Sequence, residues 1–361
     1  MIKLSVITAI MLLCVRVYAS TFNEGTIGDR IVTVVPFPVF SYSPDTRFTG
    51  GAGAIINSAP KDQESDLKED HIKIIAFYTQ NRQYELMAES EWYFLNDFLQ
   101  VRCHTNMEKF PIEYYGIGPD TPISMKEKYT YKSVSFFFTP LVRVIDALYI
   151  GPAFDFTRYT VKKYEVNGEI DKISADSRLT NIFGIGGIVS YDTRKDGFYI
   201  YSGELIEIGF TRYAEKMGSS CNFNKFSVNL KKYYKLYSSV ICGQIYTEVI
   251  SGGIPFYSYP SVGGDDINQL RGYLYGRYVD KFLTNIQIEY RFPLVWRFGM
   301  VIFAGAGEVE HKFSAFTSHP RAAGGAGLRF MIDKESKINL RLDLAYNGSD
   351  VLTYFNILEA F

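Results

Sequence analysis

Cysteine and histidine are scarce in this 361-residue chain, at four residues each. Cys14 lies in an N-terminal apolar stretch, which leaves Cys103, Cys221 and Cys242 in the remainder. An odd, scattered set is not a disulfide framework. The strand register read below offsets Cys221 from Cys242, so all three are expected as free thiols. His71, His104, His311 and His319 show no zinc-ligand spacing with them, and no metal is expected. An excess of one charge is also missing. The 38 basic and 39 acidic residues leave a net charge of −1 and nothing to neutralise a phosphate backbone, so no nucleic-acid partner is expected. No second apolar run of about 18 residues follows the N-terminal one, which excludes a helical membrane protein. No serine sits in a nucleophile elbow and no His–Asp–Ser spacing stands out, so neither a catalytic residue nor a cofactor is expected.

What the chain has in abundance is aromatic: 28 Tyr and 28 Phe against 2 Trp. Tyrosine suits a water–lipid boundary, with its ring in lipid and its hydroxyl in water. A soluble β-rich protein is the alternative on composition alone. The first residues argue for export. Lys3 precedes an apolar run from Leu4 to Val15, too short to span a bilayer, and Val17-Tyr18-Ala19 offers compact residues to a signal peptidase. Cleavage is expected after Ala19, giving a signal peptide over 1–19, a short segment over 20–30 and a barrel over 31–361. A lipid anchor at Cys14 is the alternative, but Leu13 precedes it where a small residue is needed.

Period-two alternation recurs through the rest. Leu340, Leu342, Leu344 and Tyr346 alternate with Asn339, Arg341, Asp343 and Ala345. Ile286, Ile288, Tyr290 and Phe292 alternate with Gln287, Glu289 and Arg291, and Ile206, Ile208 and Phe210 with Glu207, Gly209 and Thr211. In a strand these sets point to opposite faces. An apolar outside and polar lumen is the membrane-barrel pattern, and the terminal Phe361 matches a barrel-assembly signal. Sixteen strands are expected, near 31–43, 47–58, 69–80, 83–95, 97–106, 126–139, 146–160, 178–192, 200–213, 221–234, 237–250, 281–292, 297–307, 321–332, 336–346 and 351–361. Pro140 to Ile145, Lys235-Leu236, Pro293 to Trp296 and Asp333 to Glu335 read as short turns. Residues 107–125, 161–177, 251–280 and 308–320 read as long loops. The charged stretch Lys61 to Asp70 falls on the short-turn side of this count. The fold class is therefore all-β, a transmembrane antiparallel barrel.

Glycine-rich pieces at 184–187, 305–307 and 324–327 lie in strands, with no βαβ unit around them. There glycine permits bending or the close approach of something packed in the lumen. The segment Gly263 to Tyr273 is more specific. Its Arg271-Gly272-Tyr273 resembles the Arg-Gly-aromatic motif of the BamA/TamA superfamily (bacterial surface antigen family), carried in the long extracellular loop between strands eleven and twelve. Tyr191-Asp192-Thr193-Arg194 with Ser202-Gly203, Ile288 to Leu294, Gly325 to Phe330, Leu340 to Asp343 and Tyr354 to Phe361 also resemble family strands and turns. Tyr42 to Thr46 and Tyr115 to Gly118 are similar to its N-terminal features. The resemblance implies that the long loop folds into the lumen and that its arginine reaches acids on strands twelve and thirteen. Here the first acid is Glu289. The second position holds Gly305, so the clamp is expected on Glu289 with Glu308. On the residues alone, Arg271 could be a solvated loop charge.

The family's protein-inserting members carry periplasmic POTRA modules, and about a dozen residues before the first strand leave no room for one. The resemblance implies assembly or translocation of proteins or lipids at the bacterial outer membrane. The implied partners are outer-membrane lipids and either the barrel-assembly machinery or a separate periplasmic protein. A passive pore and a surface structural or adhesive barrel are the alternatives.

Overall fold

The computed structural model describes residues 23–43, 47–62, 67–164, 168–174, 179–194, 199–264, 268–315, 317–332 and 337–361. The expected signal peptide, residues 44–46 of the Tyr42 to Thr46 feature, Asp265 to Ile267 and the turn at Asp333 to Glu335 lie outside them. Seventeen strands dominate: β1 (Asn23–Ile27), β2 (Arg30–Ser43), β3 (Arg47–Pro60), β4 (Asp70–Thr79), β5 (Tyr84–Phe94), β6 (Leu99–Tyr114), β7 (Glu127–Ile145), β8 (Leu148–Lys163), β9 (Leu179–Asp192), β10 (Gly203–Tyr213), β11 (Phe223–Leu236), β12 (Ser239–Gly252), β13 (Phe282–Pro293), β14 (Phe298–Glu310), β15 (Arg321–Met331), β16 (Asn339–Tyr346) and β17 (Val351–Ile357). Each pairs antiparallel with the next in one meandering sheet.

The sixteen expected strands correspond to β2 through β17. The additional strand, β1, lies in the 20–30 segment and turns into β2 through Gly28, whose φ of +63° suits a tight hairpin. Two boundaries move furthest. Pro140 to Ile145 belongs to β7, which turns into β8 at Asp146-Ala147, and β6 runs on to Tyr114, so the loop after it shrinks to 115–126. Pro140 is accommodated beside Val101 at a position where the ladder with β8 is interrupted. Cys103, Cys221 and Cys242 are free, as expected.

Alternation sorts the two faces. Ile206, Ile208, Ile286, Ile288, Ile302, Leu328 and Leu344 are exposed on the outside, while Gln287, Glu289, Arg329, Arg341 and Asp343 are buried inside. No ladder joins β17 to β2 among the described residues, although the two lie side by side. The seam is closed by packing. Val35, Phe37 and Ile55 face inward from β2 and β3. They form one apolar cluster with Phe330, Leu340, Phe355 and Ile357, which face outward from β15–β17. The first strands therefore lap over the outer face of the last ones. Phe37 lies flat on Gly53, where any Cβ would meet its ring at 2.3 Å.

The chain end also departs from expectation. β17 stops at Ile357 and Leu358 takes a φ of +69°, turning the final residues into the lumen. Phe361 packs there against Tyr233, Val240 and Cys242 rather than closing the last strand.

Candidate functional site

Between β12 and β13, the described loop residues 253–264 and 268–281 descend into the lumen, where small residues on the wall admit them. A Cβ on Gly305 would sit 2.7 Å from Leu270 of the loop, and one on Gly307 would sit 3.0 Å from Val262. At Gly305 the loop's Leu270 occupies the space a side chain would need. Loop carbonyls are satisfied by wall amides: Gln287 Nε2 donates to Gln269 O at 2.9 Å and Asn285 Nδ2 to Asn268 O at 2.8 Å. These bonds answer the requirement that backbone buried away from water be paired.

At its tip Arg271 is 2% exposed. Its guanidinium donates to Glu289 of β13 and, at 2.5 Å, to Asp343 Oδ2 of β16. It lies 3.8 Å above the ring centroid of Phe303. Two carboxylates and an aromatic face engage the planar fork of arginine in a way that they could not engage lysine. Arg291 donates to the other Glu289 oxygen at 2.7 Å and to the carbonyl of Phe361 at 2.8 Å. Arg329 bridges Asp343 at 2.6 Å and Glu359 at 2.7 Å, and Arg341 approaches Asp343 at 3.4 Å. Four arginines thus meet Glu289, Asp343 and Glu359, tying the loop and the chain end to one buried cluster.

The rest of the motif is also anchored. Gly272 N donates to the Tyr354 hydroxyl at 2.8 Å, and its carbonyl accepts from Asn347 Nδ2 at 2.8 Å. The Tyr273 hydroxyl donates to Ala322 O at 2.9 Å, and partial burial pushes its pKa above the usual tyrosine value. Higher up, Gly118 N donates to Val279 O at 2.8 Å and Arg277 donates to Thr121 Oγ1 and O. The Tyr115 to Gly118 feature therefore helps hold the loop. Gly272 has a φ of +111°, and a Cβ there would approach Ala323 Cβ to 2.6 Å. Gly272→Val is expected to undock the tip, since backbone strain alone costs about 1–3 kcal/mol. Faster trypsin cleavage after Arg271 or Arg277 would report it. Unchanged resistance would contradict it.

Of the sequence-derived partners, the structure places Glu289 against Arg271 and Glu308 away from it. Glu308 shares its face of β14 with the outward-pointing Ile302 and lies on the opposite side of the sheet from Phe303 and Arg271. It accepts the backbone N–H groups of Thr317 and His319 and so fastens the loop after β14. The second acid is Asp343, which sequence alternation already put on the polar face.

Beside the docked loop lies a cavity of about 450 Å³, lined by Tyr129, Tyr159, Tyr246, Asp155 and Glu248 of the wall and covered by loop residues including Tyr257. Below it Arg102 of β6 reaches Glu207 of β10 and Ser190 of β9.

The architecture has counterparts among solved structures. BamA from Haemophilus ducreyi lacking POTRA domains 1–3 superimposes with a TM-score of 0.58 at 12% identity, over 97% of this chain and 78% of that one. CdiB from Acinetobacter baumannii gives 0.54 at 11% identity, over 92% of this chain and 60% of that one. No curated protein matches the sequence. The model of the Omp85 superfamily domain matches residues 72–351, a span that runs from β4 to β17 and includes the buried loop motif. The chain belongs to the Omp85 superfamily of outer-membrane β-barrels.

Proposed function

We propose that this barrel aids the assembly or translocation of proteins or lipids at the bacterial outer membrane, after export by a cleaved signal peptide. Its expected partners are outer-membrane lipids and either the barrel-assembly machinery or a separate periplasmic protein. The observation that carries the reading is Arg271, held inside the lumen by Glu289 and Asp343. Burying a charged loop is costly, and only a well-paired site offsets that cost. A passive pore gains nothing from such an arrangement, whereas a barrel that must seal itself between working cycles does. Depletion of the protein followed by quantitative proteomics and lipid analysis of the outer membrane is the test. A subset of outer-membrane proteins or lipids should fall in abundance, with recovery on complementation by the unmodified chain and poor recovery by Arg271→Met. An unchanged outer membrane would overturn the reading.

A further inference from the structure

Glu308 and Glu310 project from the same outer face of β14 at the rim that carries the long loops. Residues 317–319 fold back over them and bring His319 alongside. One ligand atom from each of the three residues can be chosen so that all lie within 4.8 Å of one another. The two carboxylates are 4% and 3% exposed. No lysine or arginine pairs with either among the described residues. Glu308 accepts two backbone N–H groups, at 2.8 Å and 2.7 Å, and the charged partner of Glu310 is His319, whose Nδ1 stands 2.6 Å from Oε1. Two neighbouring buried carboxylates facing one imidazole form an anionic site short of a cation. Buried charges of this kind are paired or bind metal.

We propose that Glu308, Glu310 and His319 form a binding site for a borderline divalent metal ion, with Zn²⁺ as its best fit. Two carboxylate oxygens and one imidazole nitrogen are a donor set for zinc, which accepts three protein ligands and leaves a fourth position for water. The half-exposed imidazole leaves that position open to solvent. Calcium requires six to eight oxygens, and this set does not supply them. The ion would replace the hydrogen bond between His319 Nδ1 and Glu310 Oε1, each of which can offer it a lone pair. The backbone N–H groups of Thr317 and His319 fix the Glu308 carboxylate, the orienting role that outer partners play in metal sites. Because two ligands come from the strand and the third from the loop, the ion would pin the loop at His319 to the barrel wall. His311, 3.6 Å from Asp280, belongs to a separate neighbouring pair.

The test uses the full, untagged chain in detergent micelles, stripped with chelator and titrated with Zn²⁺ against a chromophoric competitor. One equivalent should bind. His319→Ala and Glu310→Gln should each weaken binding at least about 10–100-fold, the loss typical of even an outer partner. His311→Ala should leave it unchanged, as should millimolar Ca²⁺. Zn²⁺ should also slow trypsin cleavage after Lys312 in the unmodified chain and not in His319→Ala. No bound zinc in the unmodified chain, or equal affinity in His319→Ala with the barrel still folded by gel mobility, would overturn the site.

Discussion

Asp343→Asn is expected to destabilise the folded barrel by about 3–5 kcal/mol, the cost of removing one partner from a buried charge pair. Asp343 is fully buried and contacts Arg271, Arg329 and Arg341. Counting the ion pairs of the cluster, Arg271, Arg291, Arg329 and Arg341 face Glu289, Asp343 and Glu359. Removing Asp343 takes an acid from three arginines at once. Removing Arg271 instead leaves both of its acids paired, because Glu289 keeps Arg291 and Asp343 keeps Arg329 and Arg341. The two substitutions break the same contact, yet their costs should be unequal. Arg271→Met should lose chiefly the docking of the loop. The double variant should be more stable than Asp343→Asn alone, a non-additivity expected of residues within one network. Urea unfolding of the purified barrel in detergent, followed by gel mobility, measures all three. Equal losses for the two single variants would contradict this asymmetry, as would an Asp343→Asn barrel within about 1 kcal/mol of the unmodified one.

Much of this was legible in the residues, and the misses have physical reasons. Alternation is a local signal, so β2 through β17 could be read one strand at a time. β1 could not, because Asn23-Glu24-Gly25-Thr26-Ile27 does not alternate. The lapped seam is non-local: Val35 and Phe355 carry nothing that announces they will meet across the sheet edge. The face of Glu308 is hidden in the sequence for a simpler reason. The run Ala304-Gly305-Ala306-Gly307 is small on both sides, so hydropathy does not mark which residues point inward. The outward position of Ile302 settles it. Asp343 was visible as a polar-face residue of its strand. What the sequence could not supply was the distance from strand β16 to a loop rooted between β12 and β13. Glu359, two residues before Phe361, lies inside and pairs with Arg329 because the chain leaves the sheet at Leu358, a turn that no local pattern announces.

The second large effect is expected in a planar bilayer. The unmodified barrel should show low, fluctuating conductance, and Arg271→Met should raise it several-fold. Three obstructions lie along the lumen: the docked loop, the final residues around Phe361, and the Arg102–Glu207 contact that bridges β6 and β10. The substitution removes the guanidinium that joins loop, β13 and β16 and leaves the other two in place. It also leaves the upper ties of the loop, from Gly118 to Val279 and from Arg277 to Thr121. The loop should therefore swing rather than leave, and current should rise through longer and more frequent bursts. Arg102→Ala separates the contributions. It widens the lumen without freeing the loop, so alone it should change the open level little, and combined with Arg271→Met it should raise that level. A large steady current through the unmodified barrel would refute the plugged lumen outright. An Arg271→Met barrel as silent as its parent would mean that the upper ties hold the loop without the arginine, and the buried cluster would then be a structural core rather than a latch.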